Sequence, residues 1–106
     1  MREVERALYW LLAGTMGGTN RVRILQSLLK KPQNTNQLAK SLHLDFKTIQ
    51  YHLRVMEKND LVTYQGGDGF PKIYFPSQLI EDNIEQFQSI VAQIENRKNG
   101  KEGNKV

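Results

Sequence analysis

The chain has 106 residues, of which 39% are hydrophobic and 25% charged. These values fit one small globular domain with a modest core. There is no cysteine, no apolar run long enough to span a membrane and no secretory pattern at the N-terminus. Disulfides and thiolate metal sites are therefore excluded, no membrane partner is expected, and a reducing cytoplasm is the expected compartment.

The formal net charge is +4, and it is unevenly distributed. Residues 19–64 hold eight Lys or Arg against three Asp or Glu, whereas residues 77–95 hold four acids and no base. A basic field confined to one part of the chain implies an anionic partner on one surface.

Residues 2–13 read as an amphipathic helix. Val4, Leu8, Leu11 and Leu12 lie on one stripe, and Ala7, Tyr9 and Trp10 widen the apolar surface. Gly14 and Gly17-Gly18 end it. Such a broad surface belongs in the core or against another subunit. Thr19 is the expected N-cap of a second helix running to about Lys30, with Val22, Ile24, Leu25, Leu28 and Leu29 inward. Arg21 and Arg23 lie near its start, where their charge opposes the helix dipole, a placement consistent with facing phosphates. Lys30-Lys31-Pro32 closes it.

Asn34 followed by Gln37 makes a capping box for a third helix, with Leu38, Ala39 and Leu42 buried. His43 occupies a turn position that needs positive φ, which histidine tolerates better than most residues. Leu44 turns back into the core. Asp45 caps a fourth helix running to about Lys58. On a helical wheel Phe46, Leu53 and Met56 fall within about 60° of Ile49, with His52 as a packed residue at the edge of that arc. Lys47, Tyr51, Arg54 and Lys58 occupy the opposite side, flanked by Thr48 and Gln50. These side chains form the set that reads base edges and holds phosphates.

Asn59-Asp60 ends this helix, one of the two in the left-handed region. Residues 61–65 and 72–75 read as strands joined by a turn at Gly66–Gly69, with Pro71 at the mouth of the return strand. Ser77 caps a last helix to about Asn96. There Ile80, Ile84, Phe87, Val91 and Ile94 recur at steps of four and three, a stripe that packs with something else. Residues 97–106 are polar and basic, and read as disordered. The only histidines are His43 and His52, and no nucleophile–base set or paired carboxylates emerge. Neither an enzyme, a cofactor nor a metal site is expected.

The segment NRVRILQSLLKKPQNTNQLAKSLHLDFKTIQYHLRVMEKNDLV and the wing after it, about residues 19–76, resemble the ArsR-type winged-helix family of prokaryotic regulators, particularly its archaeal members. The resemblance implies a mainly α fold with a small β-hairpin: one winged helix-turn-helix domain over 1–96, with the helix-turn-helix at 34–59, the wing at 61–76 and a C-terminal dimerisation helix at 77–96. It implies a homodimeric, sequence-specific transcriptional regulator of double-stranded DNA. Lys47, Thr48, Gln50, Tyr51 and Arg54 would enter the major groove with Lys58 beside them, and Arg21, Arg23, Lys40 and Lys72 would contact the backbone. The dimer seam would be Val4, Leu8, Leu11 and Leu12 with Ile80, Ile84, Phe87, Val91 and Ile94. Metal-sensing members of the family use cysteines, or histidines in the last helix, and this chain has neither, so metal sensing is not carried over. The wing is poor in cations, which weakens minor-groove reading. Two alternatives remain at this point: a protein-interaction module that docks an acidic partner, and an architectural protein with little sequence preference. No small-molecule effector is named by the sequence.

Overall fold

The computed structural model describes residues 3–103, and side chains through Arg97. The elements are α1 (Glu3–Ala13), α2 (Gly18–Lys30), α3 (Thr35–Leu42), α4 (Phe46–Lys58), β1 (Val62–Gly67), β2 (Phe70–Pro76), α5 (Gln78–Asp82) and α6 (Ile84–Gly103). This is a winged helix-turn-helix: α3 and α4 form the motif, β1 and β2 the wing. No described helix is long and apolar enough to cross a membrane.

One cluster forms the core. Leu8 and Leu12 of α1 join Val22, Ile24, Leu25 and Leu28 of α2, Ile49, Leu53 and Met56 of α4, and Phe87, Ile90 and Val91 of α6. The corner between α1 and α2 is tight. Gly17 has φ 86°, and a Cβ on Gly18 would lie 2.3 Å from the Leu12 carbonyl oxygen. Only glycine allows that approach. Helix α2 therefore starts at Gly18 with Gly17 as its cap residue, two residues before the expected Thr19 cap.

The ends of α3 and α4 are closed as their sequences require. Asn34 Oδ1 accepts from Gln37 N and Gln37 Oε1 accepts from Asn34 N, both at 2.8 Å, so the capping box is complete. Asp45 accepts from the amides of Lys47 and Thr48. His43 (φ 55°) and Asp60 (φ 56°) are both left-handed. After His43, Leu44 N donates to Ala39 O; after Asp60, Leu61 N donates to Met56 O. These bonds recover carbonyls that a helix end leaves unpaired. The two left-handed caps set the angle at which α4 leaves α3 and enters the wing.

The wing strands pair antiparallel with Tyr64 opposite Tyr74. The turn is shorter than the expected Gly66–Gly69. Asp68 and Gly69, both with positive φ, form a two-residue connection of the kind that matches strand twist. Gly66 is instead a bulge residue, and a Cβ there would lie 2.2 Å from the Pro71 carbonyl oxygen. The wing is anchored at its root, because Gln33 and Tyr74 exchange both backbone hydrogen bonds.

Three further expectations are corrected. The last helix is two helices, because Asn83 takes φ −121° and its side chain donates to Leu79 O, ending α5 before α6 begins. Helix α6 then continues to Gly103, through residues expected to be disordered. Arg97, Lys98, Lys101 and Glu102 are good helix formers, and basic residues near a C-terminus suit the dipole; residues 104–106 and residue 2 of the first helix lie outside the described residues. Leu29 and Phe46, expected inside, are 37% and 43% exposed, since each sits at the edge of its helix's apolar arc.

Replacing His43 with valine should cost about 1–2 kcal/mol, because a β-branched residue resists the left-handed region. His43→Gly should be neutral or stabilising in the same urea denaturation series. Equal losses in both variants would contradict the role assigned to the cap.

Candidate nucleic-acid interface

Helix α4 presents its polar face outward. Lys47, Gln50, Tyr51, Arg54 and Lys58 are exposed and Thr48 is half-buried, while Ile49, His52, Leu53 and Met56 face inward. Gln50 and Arg54 form one side of a groove with Thr35 at the start of α3 and Lys72 and Tyr74 of the wing. Three separate elements thus bring two cations, an amide and two hydroxyls around one concave strip. The groove also contains Glu57, an acid one turn from Arg54 that sequence reasoning left out of the reading face. A carboxylate there repels phosphate and can accept from a cytosine amino group.

The wing supplies its cation in a fixed posture. Lys72 Nζ lies 4.1 Å from the centre of the Tyr64 ring. That ring packs at 5.8 Å between centres against Tyr74. Burial pushes the Tyr74 phenol up from its ordinary value, with Lys72 opposing the shift, so it stays protonated as a hydrogen-bonding group. Thr35, Glu57 and Tyr74 were missed by the sequence reading. The signal for Thr35 was present, since it opens a helix whose N-terminus faces the groove.

Arg21 does not belong to this surface. Its side chain is 4% exposed. Nε donates to the Leu11 carbonyl at 2.9 Å, Nη2 reaches Thr15 and the Met16 carbonyl, and Nη1 lies 3.3 Å from His52 Nδ1. The expected phosphate contact is replaced by an internal tie between α1, the α1–α2 corner and the reader helix. An arginine only donates, so His52 Nδ1 accepts and the ring proton sits on Nε2. Arg23 lies outside this groove and donates to the Leu42 carbonyl and to Asn20 Oδ1. Lys40 is exposed on α3 but takes no part in the groove. The sequence signal for Arg21 was ambiguous, because an arginine near a helix start fits either surface or interior.

Burial, and then the neighbouring Arg21 charge, hold the His52 imidazole below its ordinary value of 6.5. The folded state therefore binds this proton less readily than the unfolded chain. The stabilisation is complete above pH 6.5 and is lost as the pH falls below it toward the folded value. Thermal melts between pH 8 and pH 5 should show a fall in Tm for the natural protein and a shallower fall for His52→Gln, which keeps an acceptor for Arg21. Identical pH profiles would contradict the burial of a neutral imidazole.

Comparisons with known proteins agree with this architecture. Residues 19–64 match the family model described as bacterial regulatory protein, arsR family. No curated protein sequence matches the chain. Among solved structures, the homodimeric winged helix-turn-helix DNA-binding domain Mb0332 of Mycobacterium bovis superposes with a TM-score of 0.68 at 16% identity, covering 92% of this chain and 84% of that one. The reduced transcriptional regulator YodB of B. subtilis gives 0.67 at 19% identity, over 87% of this chain and 89% of that one. A S. aureus MepR mutant bound to an oligodeoxyribonucleotide gives 0.59 at 19% identity, over 92% of this chain and 72% of that one. At these identities the likeness is one of fold.

Proposed function

We propose that this chain, whose residues 19–64 match the model of the arsR family of bacterial regulatory proteins, is a homodimeric transcriptional regulator that reads double-stranded DNA in the cytoplasm. Helix α4 lies in the major groove. Gln50 and Arg54 read base edges there, as an amide suits adenine and a guanidinium suits guanine. Lys47, Thr48, Tyr51 and Lys58 hold register along the helix. Thr35 at the α3 N-terminus and Lys72 on the wing contact the backbone. The supporting observation is the convergence of Gln50, Arg54, Thr35 and Lys72 from three elements on one groove.

The proposed domain is the winged helix over residues 1–96. Its dimer seam differs from the stripe first expected. Leu8, Leu12, Ile80, Phe87 and Val91 are each at most 9% exposed within a single chain and already serve its own core. The stripe pattern was right about burial, but it does not distinguish burial within a chain from burial between chains. Val4, Leu11, Ile84 and Ile94 are only partly buried. On α1 the incompletely buried residues Val4, Ala7 and Leu11 recur at steps of three and four, the spacing of a helix–helix seam, and Gly14 just past the helix end continues it. Trp10 beside them is 62% exposed. Leu79 and Leu61 complete an apolar hollow against Val4, Ala7 and Leu11. Two copies joined along α1 present two reader helices to half-sites about 34 Å apart.

If about six phosphates are neutralised per dimer, log K falls against log salt with a slope of about −5. A slope near zero in a filter-binding titration contradicts DNA binding. Arg54→Ala should cost about 1–3 kcal/mol and relax preference at one base position. Uniform loss across all sequences makes Arg54 a backbone contact instead. Ala7→Glu alters an exposed position, so sedimentation should find a folded monomer that binds its operator far more weakly. A dimer of undiminished affinity rejects the α1 seam.

A further inference from the structure

A second concave site lies between α2 and α3, with no wall contributed by the reader helix. Its volume is about 460 Å³, within the range of small-ligand pockets. Arg23, Lys30 and Lys31 stand around it, and none of its wall residues is acidic.

Its floor is polar and built. Gln33 is 3% exposed. Its Nε2 donates to Ser27 Oγ at 2.9 Å and to the carbonyls of Ser27 and Lys31, each at 3.1 Å. Ser41 Oγ donates to Gln33 Oε1. The Leu42 carbonyl, at the end of α3, is bound by Arg23. Carbonyls at helix C-termini would ordinarily lend a negative field to such a place. Here Gln33 and Arg23 occupy those of Ser27, Lys31 and Leu42, which leaves the lysine charges without an internal anion in the cavity wall.

The cations are also spaced. Arg23 and Lys30 are seven residues apart on one face of α2, about 10 Å along the axis. Ser27 lies between them on the same face. A single small anion cannot engage both ends, whereas a chain-like anion can.

We infer that this cavity binds a small elongated polyanion, with anionic groups at both ends and hydrogen-bond acceptors between them. A short polyphosphate chain has this chemistry. Arg23 holds one end, Lys30 and Lys31 the other, and the Ser27 hydroxyl, which accepts from Gln33 and keeps its own proton to donate, serves the middle. The reader groove, formed by Thr35, Gln50, Arg54, Glu57, Lys72 and Tyr74, shares no residue with it. The proposed ligand is a free molecule and not the backbone of the DNA held by α4.

Calorimetric titration of the full chain with inorganic triphosphate and with orthophosphate, at constant ionic strength, tests this directly. Triphosphate should bind at least about tenfold more tightly than orthophosphate, because two separated contacts act together. Lys30→Gln with Lys31→Gln changes two exposed side chains, and should weaken triphosphate at least about tenfold by removing two charge-assisted contacts. Lys47→Gln with Arg54→Gln should leave triphosphate binding intact. Equal affinity for the two anions overturns the proposal. So does triphosphate binding that is lost in the Lys47/Arg54 variant and kept in the Lys30/Lys31 variant, which would place the anion on the reader helix. Absence of triphosphate binding, with DNA affinity lowered by the Lys30/Lys31 variant, would make DNA the source of phosphate and overturn it as well. Triphosphate binding is read on the protein alone, so a failure of the DNA reading would leave this result standing.

Discussion

Arg21 carries a charge into the interior of a small domain, where desolvation disfavours the charged form. A buried ion is tolerable only when its hydrogen-bonding capacity is met. Here carbonyl oxygens of Leu11 and Met16, the Thr15 hydroxyl and the His52 ring meet it. Every one of these partners lies on a segment that has to be in its native place. The end of α1, the glycine corner and the middle of α4 are therefore fixed relative to one another by one side chain. Gly17 belongs to the same arrangement, since a Cβ there would stand 2.8 Å from His52 Cε1. The helix proposed to join two copies and the helix proposed to read DNA are thus tied through a single guanidinium.

Around that tie, the reading surface is assembled by caps. The Asn34–Gln37 box starts α3, Asp45 starts α4, and left-handed residues end both helices. Ser77 then joins the far side, accepting from Ile80 N to start α5 and donating to the Asp60 carbonyl at 2.6 Å. Each contact is local and modest, on the order of 1 kcal/mol. Together they fix the angles between α3, α4 and the wing, and those angles decide which side chains share the groove. The wing contributes little charge, but its one lysine is restrained by Tyr64.

The sequence was legible where structure is written locally. Helix order, the capping box, the Asp45 and Ser77 caps, His43 as a left-handed turn residue and His52 as a packed residue all follow from short-range chemistry. The winged helix followed from their order. What was hidden depends on tertiary partners. Arg21 looks like a surface arginine until the corner carbonyls of Leu11 and Met16 are brought to it. Leu8, Leu12 and Phe87 have the periodicity of a dimer seam, but α1 and α6 satisfy one another within the chain. Glu57 lies 80° from Ile49 on an ideal wheel at about 100° per residue, so only the position of the wing brings it into the groove. The break at Asn83 was hidden by an apolar stripe that runs through both α5 and α6.

The central claim is that α4, with the α3 N-terminus and the wing, is the surface that meets DNA. Amide chemical-shift mapping of the labelled protein on adding a duplex selected from random sequence tests it most directly. The account predicts that the largest changes fall on residues 45–58, at Thr35 and around Lys72. Changes centred on α5 and α6, with the amides of α4 unmoved, would contradict it.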